Sequence, residues 1–200
     1  MIYLPDANTL IEAKNRYYQM SICPGYWDWL LKANQAGKVN SIRSVRDELK
    51  RGNDELAEWA KEHAPLFLDE SDDVTQTAFT EIAQPLAVLD LPMKPGALDE
   101  FLSGADPWLI AKAMTMDATV VTHEQLNLAT RRKFLIPNVC QHFGVRFVDM
   151  FELLNALEAR FVLGYESHPA GRMPRKIGKA LSLKQSRCRQ SHQRNHQKSS

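Results

Sequence analysis

The chain has 200 residues, 44% of them hydrophobic and 24% charged, with 25 Lys and Arg against 24 Asp and Glu. That is enough for one domain with a real core, or a domain plus a tail, and nine Gly and ten Pro exclude collagen-like and wholly low-complexity chains. No apolar run approaches the ~18 residues of a membrane helix. The opening Met1–Asp6 lacks the basic and apolar regions of a signal peptide. Three scattered cysteines, Cys23, Cys140 and Cys188, suit neither a disulfide framework nor a zinc finger and fit a reducing, cytoplasmic setting.

Met1–Pro5 reads as a short buried strand that stops at Asp6, with Asn8 or Thr9 to cap a helix running to about Tyr18. Pro24-Gly25 breaks the pattern before a second helix that ends near Gly37. Val39–Ile42 is a strand candidate, Ser44–Leu49 a helix stopped by Gly52, and Asp54–His63 a charged amphipathic helix. Leu66–Leu68 is another strand, followed by a helix from about Asp72 to Leu89 and a loop at Pro92–Gly96. Ala105-Asp106-Pro107 opens a helix through Met116, with Pro in the first turn where its missing N–H costs nothing. Ala118–Thr122 is the clearest strand. After a polar connection come a short helix at Ile136–Phe143, a strand at Val145–Val148 and a helix from Met150 to Phe161. Short strands separated by helices imply right-handed crossovers and a parallel sheet covered on both faces, an α/β fold.

Charge divides the chain in two. Residues 165–200 hold nine Lys or Arg and one acid, Glu166, a net of +8, while residues 1–164 carry a net of −7. The expected organisation is a folded domain over 1–164 and a basic, disordered tail over 165–200, too poor in large apolar residues to offset its ordering entropy. Such a tail is a nucleic-acid arm or a solvated extension. The second is favoured, since no aromatic residue after Tyr165 is there to stack on a base. His168, His192 and His196 lie in a stretch without helix signal and do not form a metal motif.

Parallel sheets collect ligands outside the carboxyl ends of their strands. Asp6 follows the first strand, Glu124 lies two residues past Ala118–Thr122, Asp106 starts the preceding helix, and Glu48 sits early in the helix after the second strand. Four acids so placed repel one another and are costly to bury. A divalent cation resolves both problems, and oxygen ligands select Mg²⁺ or Mn²⁺ over zinc. The implied substrate is a phosphodiester. Each acid also has a plainer use. Asp106 is a candidate N-cap worth about 1 kcal/mol. Asp47 competes with Glu48, and Glu124 suits a helix N-terminus. Asp99 and Glu100 read as exposed, and Asp6 is the least well explained as a turn residue, since Asn8 is available for capping.

Asp6-Ala7-Asn8-Thr9-Leu10-Ile11 after an N-terminal strand resembles the opening of PIN domains, and so does Ala105–Ala111 followed by Ala118–Glu124. Ile136–Cys140, then Gly144-Val145 with a last strand and helix, is similar to the closing half of the VapC-like toxin ribonucleases of bacteria and archaea. The resemblance covers about residues 1–160. It implies a three-layer α/β/α fold with a central parallel sheet and a Mg²⁺- or Mn²⁺-dependent endoribonuclease, often the toxin of a type II toxin–antitoxin pair. It makes Asp6, Glu48 and Asp106 the core metal-site acids and Glu124 the fourth, where family members often have Asp. Asn8 and Thr122 become polar groups that orient the carboxylates. The stretch from about Ala64 to Leu98 is long for compact members, and would cover the site, bind a partner or alter substrate choice.

The mechanism then expected is attack on phosphorus by an activated water, leaving a 5′-phosphate and a 3′-hydroxyl. Arg43, Arg46, Lys50 and Arg51 flank Glu48 as RNA-backbone contacts, as does the run Arg131-Arg132-Lys133, both ranked below the acids. Expected partners are an RNA substrate, a cognate antitoxin protein and, as an option, a second copy of the chain, with no membrane. A catalytically inactive PIN-like interaction or RNA-binding module is the alternative. An aspartate-nucleophile phosphatase would want an acid where Asn8 stands. A nucleotide-binding protein would want a Gly-rich phosphate loop that the chain does not have. Trp27, Trp29, Trp59 and Trp108 belong to a core or an interface.

Overall fold

A computed structural model describes residues 1–89 and 92–162. The tail expectations, from disorder to the histidines, fall outside the described residues.

The chain opens with β1 (Tyr3–Pro5), α1 (Ala7–Glu12) and a π-helical turn (Ala13–Tyr17), then α2 (Pro24–Gln35). β2 (Ser41–Ile42), α3 (Arg43–Lys50) and α4 (Glu55–Glu62) follow, with a 3₁₀ turn (Ala64–Leu66) leading into β3 (Phe67–Leu68). Next come α5 (Asp73–Val88), α6 (Ala97–Ser103), α7 (Asp106–Met116), β4 (Thr119–Val121), α8 (Ile136–Phe143), β5 (Arg146–Val148) and α9 (Met150–Ala156).

All the strand pairs are parallel. β4 lies between β1 and β5, with Tyr3 opposite Thr119 and Thr119 opposite Arg146. β2 pairs with β3, and a single bridge from Tyr3 to Val39 joins this pair to the free edge of β1. The Ser41 hydroxyl also donates to the Pro5 carbonyl at 2.7 Å. Every residue of β1 and β4 is buried, so helices cover both faces, as parallel strands require. This is the three-layer α/β arrangement expected.

The core runs from Leu4, Leu10 and Leu30 through Ile42, Leu56 and Ile82 to Leu109, Ile110 and Ile136, all essentially inaccessible. Trp27 and Trp59 are buried edge to face at 5.0 Å, and the partly buried Trp108 stacks on Phe79 at 4.0 Å. The long stretch after residue 64 supplies β3, α5 and α6. Ala78, Ile82 and Leu86 of α5 are buried in the common core, so this segment is structural.

Two boundaries differ from the sequence reading. α6 lies just beyond the Pro92–Gly96 loop, where the sequence pattern predicts no helix. Gly96 enters it at φ 80°, a left-handed conformation that glycine adopts without strain. α9 ends at Ala156, five residues before Phe161, because Glu158 turns to φ 51°.

Candidate metal and phosphodiester site

Asp6 is the N-cap of α1. Its Oδ1 accepts from Thr9 N at 2.6 Å, and its Oδ2 accepts from the Thr122 hydroxyl at 2.7 Å. The capping role assigned to Asn8 or Thr9 therefore belongs to Asp6. Asn8 is exposed, and among the described residues it makes no hydrogen bond that orients the acids. Thr9 takes that role through its backbone N–H, and its hydroxyl donates to Val121 O at 3.2 Å. Thr122 is buried past the end of β4, donates to Asp6 and accepts from Glu124 N at 3.1 Å. Asp6 is 1% exposed, and burial pushes its carboxyl upward against the pull of these donors.

Asp106 is the first residue of α7. The cap position falls to Ala105, so the N-cap alternative for Asp106 fails. Its carboxylate is half-buried, and among the described residues no donor reaches it. Burial, then the charges of Asp6, Glu124 and Glu48, raise its pKa to about 7, with Lys133 opposing. Glu48 is half-buried on α3, and its Oε1 accepts from Ala105 N at 3.0 Å, which ties α3 to the start of α7. Asp47 is exposed and pairs with Lys50 at 3.0 Å, so Glu48 is the one turned inward.

Glu124 is engaged on both oxygens, by the Lys133 ammonium and by Ile136 N at 2.8 Å, at the start of α8. The pairing raises the Lys133 pKa, aided by the charges of Asp106 and Glu100. Cys140 is buried, and its thiol is pushed up by burial and then by the Asp106 charge. Asp99 and Glu100 are exposed on α6, as expected.

The fold thus gathers Asp6, Glu48 and Asp106 at the carboxyl-end rim, with Glu124 beside them. The donor set is all oxygen, and Asp106 is left without a proton donor, which suits a hard divalent cation. Among the described residues no three His, Cys, Asp or Glu side chains already stand at ion-holding separation.

The basic residues are differently placed. Arg43 pairs with Asp69 at 2.9 Å and Lys50 with Asp47, and the buried Arg46 Nε lies 3.9 Å from Asp47 with no hydrogen bond among the described residues. Arg51 is exposed. Sequence reasoning passed over Glu70, buried two residues past β3, where the positional rule that selects Glu124 also points. Lys133, also read as a phosphate contact, pairs with Glu124.

A family model described as a domain of unknown function, DUF4411, matches residues 3–161. The chain belongs to this family. No curated protein matches it. Two solved structures are similar to it. VapBC2 from Rickettsia felis, bound to a DNA fragment from its promoter, is 15% identical, covering 74% of this chain and 98% of that one at TM-score 0.47. VapBC-1 from nontypeable Haemophilus influenzae is 12% identical, with the same coverage, at TM-score 0.46. Among the described residues no helix is long and apolar enough to cross a membrane.

Proposed function

We propose that the domain is a PIN-like endoribonuclease, dependent on Mg²⁺ or Mn²⁺, that hydrolyses RNA phosphodiesters and serves as the toxin of a type II toxin–antitoxin pair in the cytoplasm. The observation that carries the chemistry is Asp106, a half-buried carboxylate with no donor among the described residues and three acids around it. The toxin assignment, with an antitoxin as partner, rests on the order of motifs along the sequence.

Asp6, Asp106 and Glu48 are the residues that would hold the cation. When bound, such a cation supplies an activated water and offsets the charge that develops on a phosphate in displacement. The protein's own contribution is orientation. Thr9 N–H and the Thr122 hydroxyl hold the Asp6 carboxylate, and Ala105 N–H holds Glu48, as ligand carboxylates generally require. Lys133 neutralises Glu124 and places an ammonium where a phosphate oxygen would approach.

The inactive RNA-binding module is the second reading, favoured by the engaged state of Glu124 and by the absence of three acids at ion-holding separation among the described residues. Cleavage of a mixed, end-labelled RNA pool with Mg²⁺, Mn²⁺ or EDTA decides between them. Wild type cuts only with metal, and Asp6→Asn and Asp106→Asn, each shown folded by melting, lose at least about 100-fold of that activity. No cutting with either metal, or equal cutting by the variants, overturns the ribonuclease.

A further inference from the structure

Three aromatic rings that the acid chemistry does not use stand at the same rim. Tyr17 ends the π-helical turn that follows β1 and α1. His123 lies between Thr122 and Glu124 at the carboxyl end of β4, and Phe151 is the second residue of α9, just after β5. His123 and Phe151 follow the carboxyl ends of the neighbouring strands β4 and β5, and Tyr17 meets both from the end of the π-helical turn.

The rings touch one another. Tyr17 lies 5.7 Å from His123 and 5.5 Å from Phe151, centroid to centroid, and His123 lies 6.3 Å from Phe151. Tyr17 and Phe151 are each 45% exposed, so each keeps open ring surface. Scattered exposed apolar residues are ordinary, whereas three rings in mutual contact make a patch.

π-helical turns, such as the one that Tyr17 ends, are rare and are frequently found at functional sites. The next residue, Tyr18, stacks on the buried Tyr26 at 4.3 Å with planes 7° apart, which anchors the cluster on the core. His123 Nε2 is buried with no hydrogen-bond partner among the described residues, so this ring is held among aromatics at the cost of an unmet bond.

We infer that Tyr17, His123 and Phe151 form a stacking platform for an unpaired nucleobase, one residue along the chain from the Thr122 that grips Asp6. The occupant follows from the surface. The open ring surfaces of Tyr17 and Phe151 suit any base regardless of sequence. A mainly apolar pocket, lined by Leu86, Leu89, Leu128 and Val139 with Arg131 and Lys133 beside them, includes none of the three rings. Bases in a duplex are stacked inside and present no face, so the platform selects single-stranded RNA. This deepens the ribonuclease reading and rests on it for the nature of the polymer.

Fluorescence anisotropy of a short labelled single strand and of the matching duplex, with the full chain in EDTA, separates the two ideas. Any charge-driven binding by the basic residues 165–200 is common to both forms, so the platform shows as the difference between them. Tyr17→Leu weakens single-strand binding roughly tenfold and leaves duplex binding unchanged, while Tyr17→Phe retains the wild-type value. Equal binding by the Leu and Phe variants, both shown folded by melting, overturns the platform, as does a wild type with no preference for single strands; a protein partner lost by Tyr17→Leu alone would then claim the rings. Tyr17-dependent binding by a chain that never cuts RNA removes the ribonuclease and keeps the platform.

Discussion

Glu70 and Asp106 are both drawn out of water, and the fold treats them in opposite ways. Glu70 accepts from Ser44 N at 2.7 Å, from Arg43 N at 3.1 Å and from the Ser44 hydroxyl. These are first-turn donors of α3, whose own N-cap is Ile42, an apolar residue that offers no acceptor. Glu70 therefore caps that helix from the end of the neighbouring strand β3, with the helix dipole in its favour. Asp106 also stands at a helix start, yet no described donor reaches it, and its neighbours are acids. An acid used for structure is given donors. An acid left without them, among other acids, is stable only with a proton or a cation.

The largest expected effect belongs to the structural acid. Glu70→Ala strands two backbone N–H groups and a hydroxyl, and is expected to cost about 2–3 kcal/mol in urea unfolding. A cost within ~0.5 kcal/mol, typical of an ordinary surface change, would break the contrast.

A smaller effect tests how the rim handles charge. Lys133→Met removes the ammonium that neutralises Glu124 and opposes the other acids. Calorimetric titration with Mn²⁺ is expected to show affinity higher by about tenfold, the scale of one unit charge a few ångströms away through partly hydrated protein. Unchanged affinity would reduce Lys133 to a surface cation.

Much of this architecture is legible in the sequence because it is local. β1, β4 and β5, α7 with its first-turn Pro107, and α8 closed by Gly144 at φ 70° follow from short apolar runs and turn residues. The assembly of the rim is only partly local. Position after a strand marks Asp6 and Glu124, but it marks Glu70 equally. What separates them is contact across 116 residues for Asp6 with Thr122 and 26 for Glu70 with Ser44, which no periodicity carries. The same holds for Asn8, a plausible cap by type. It loses to Asp6, because the chain leaves β1 with Asp6 already extended at φ −76°, ψ 172° and Asn8 inside the helix. The aromatic cluster escaped notice because Tyr17, His123 and Phe151 are far apart in sequence and sit on no common helical face.

The central claim is that Asp106 is kept for a cation, and stability against pH tests it most directly. Its pKa in the folded chain is raised from 3.8 to about 7, so between these values the native state holds a proton that the unfolded state has released. Without metal, wild type should lose stability as pH climbs from about 4 to about 7. Asp106→Asn should lose less and melt several degrees higher above neutral pH. Mn²⁺ should then raise the melting temperature of wild type and narrow or reverse that gap. Parallel pH profiles for the two proteins, or equal stabilisation of both by Mn²⁺, would contradict the account.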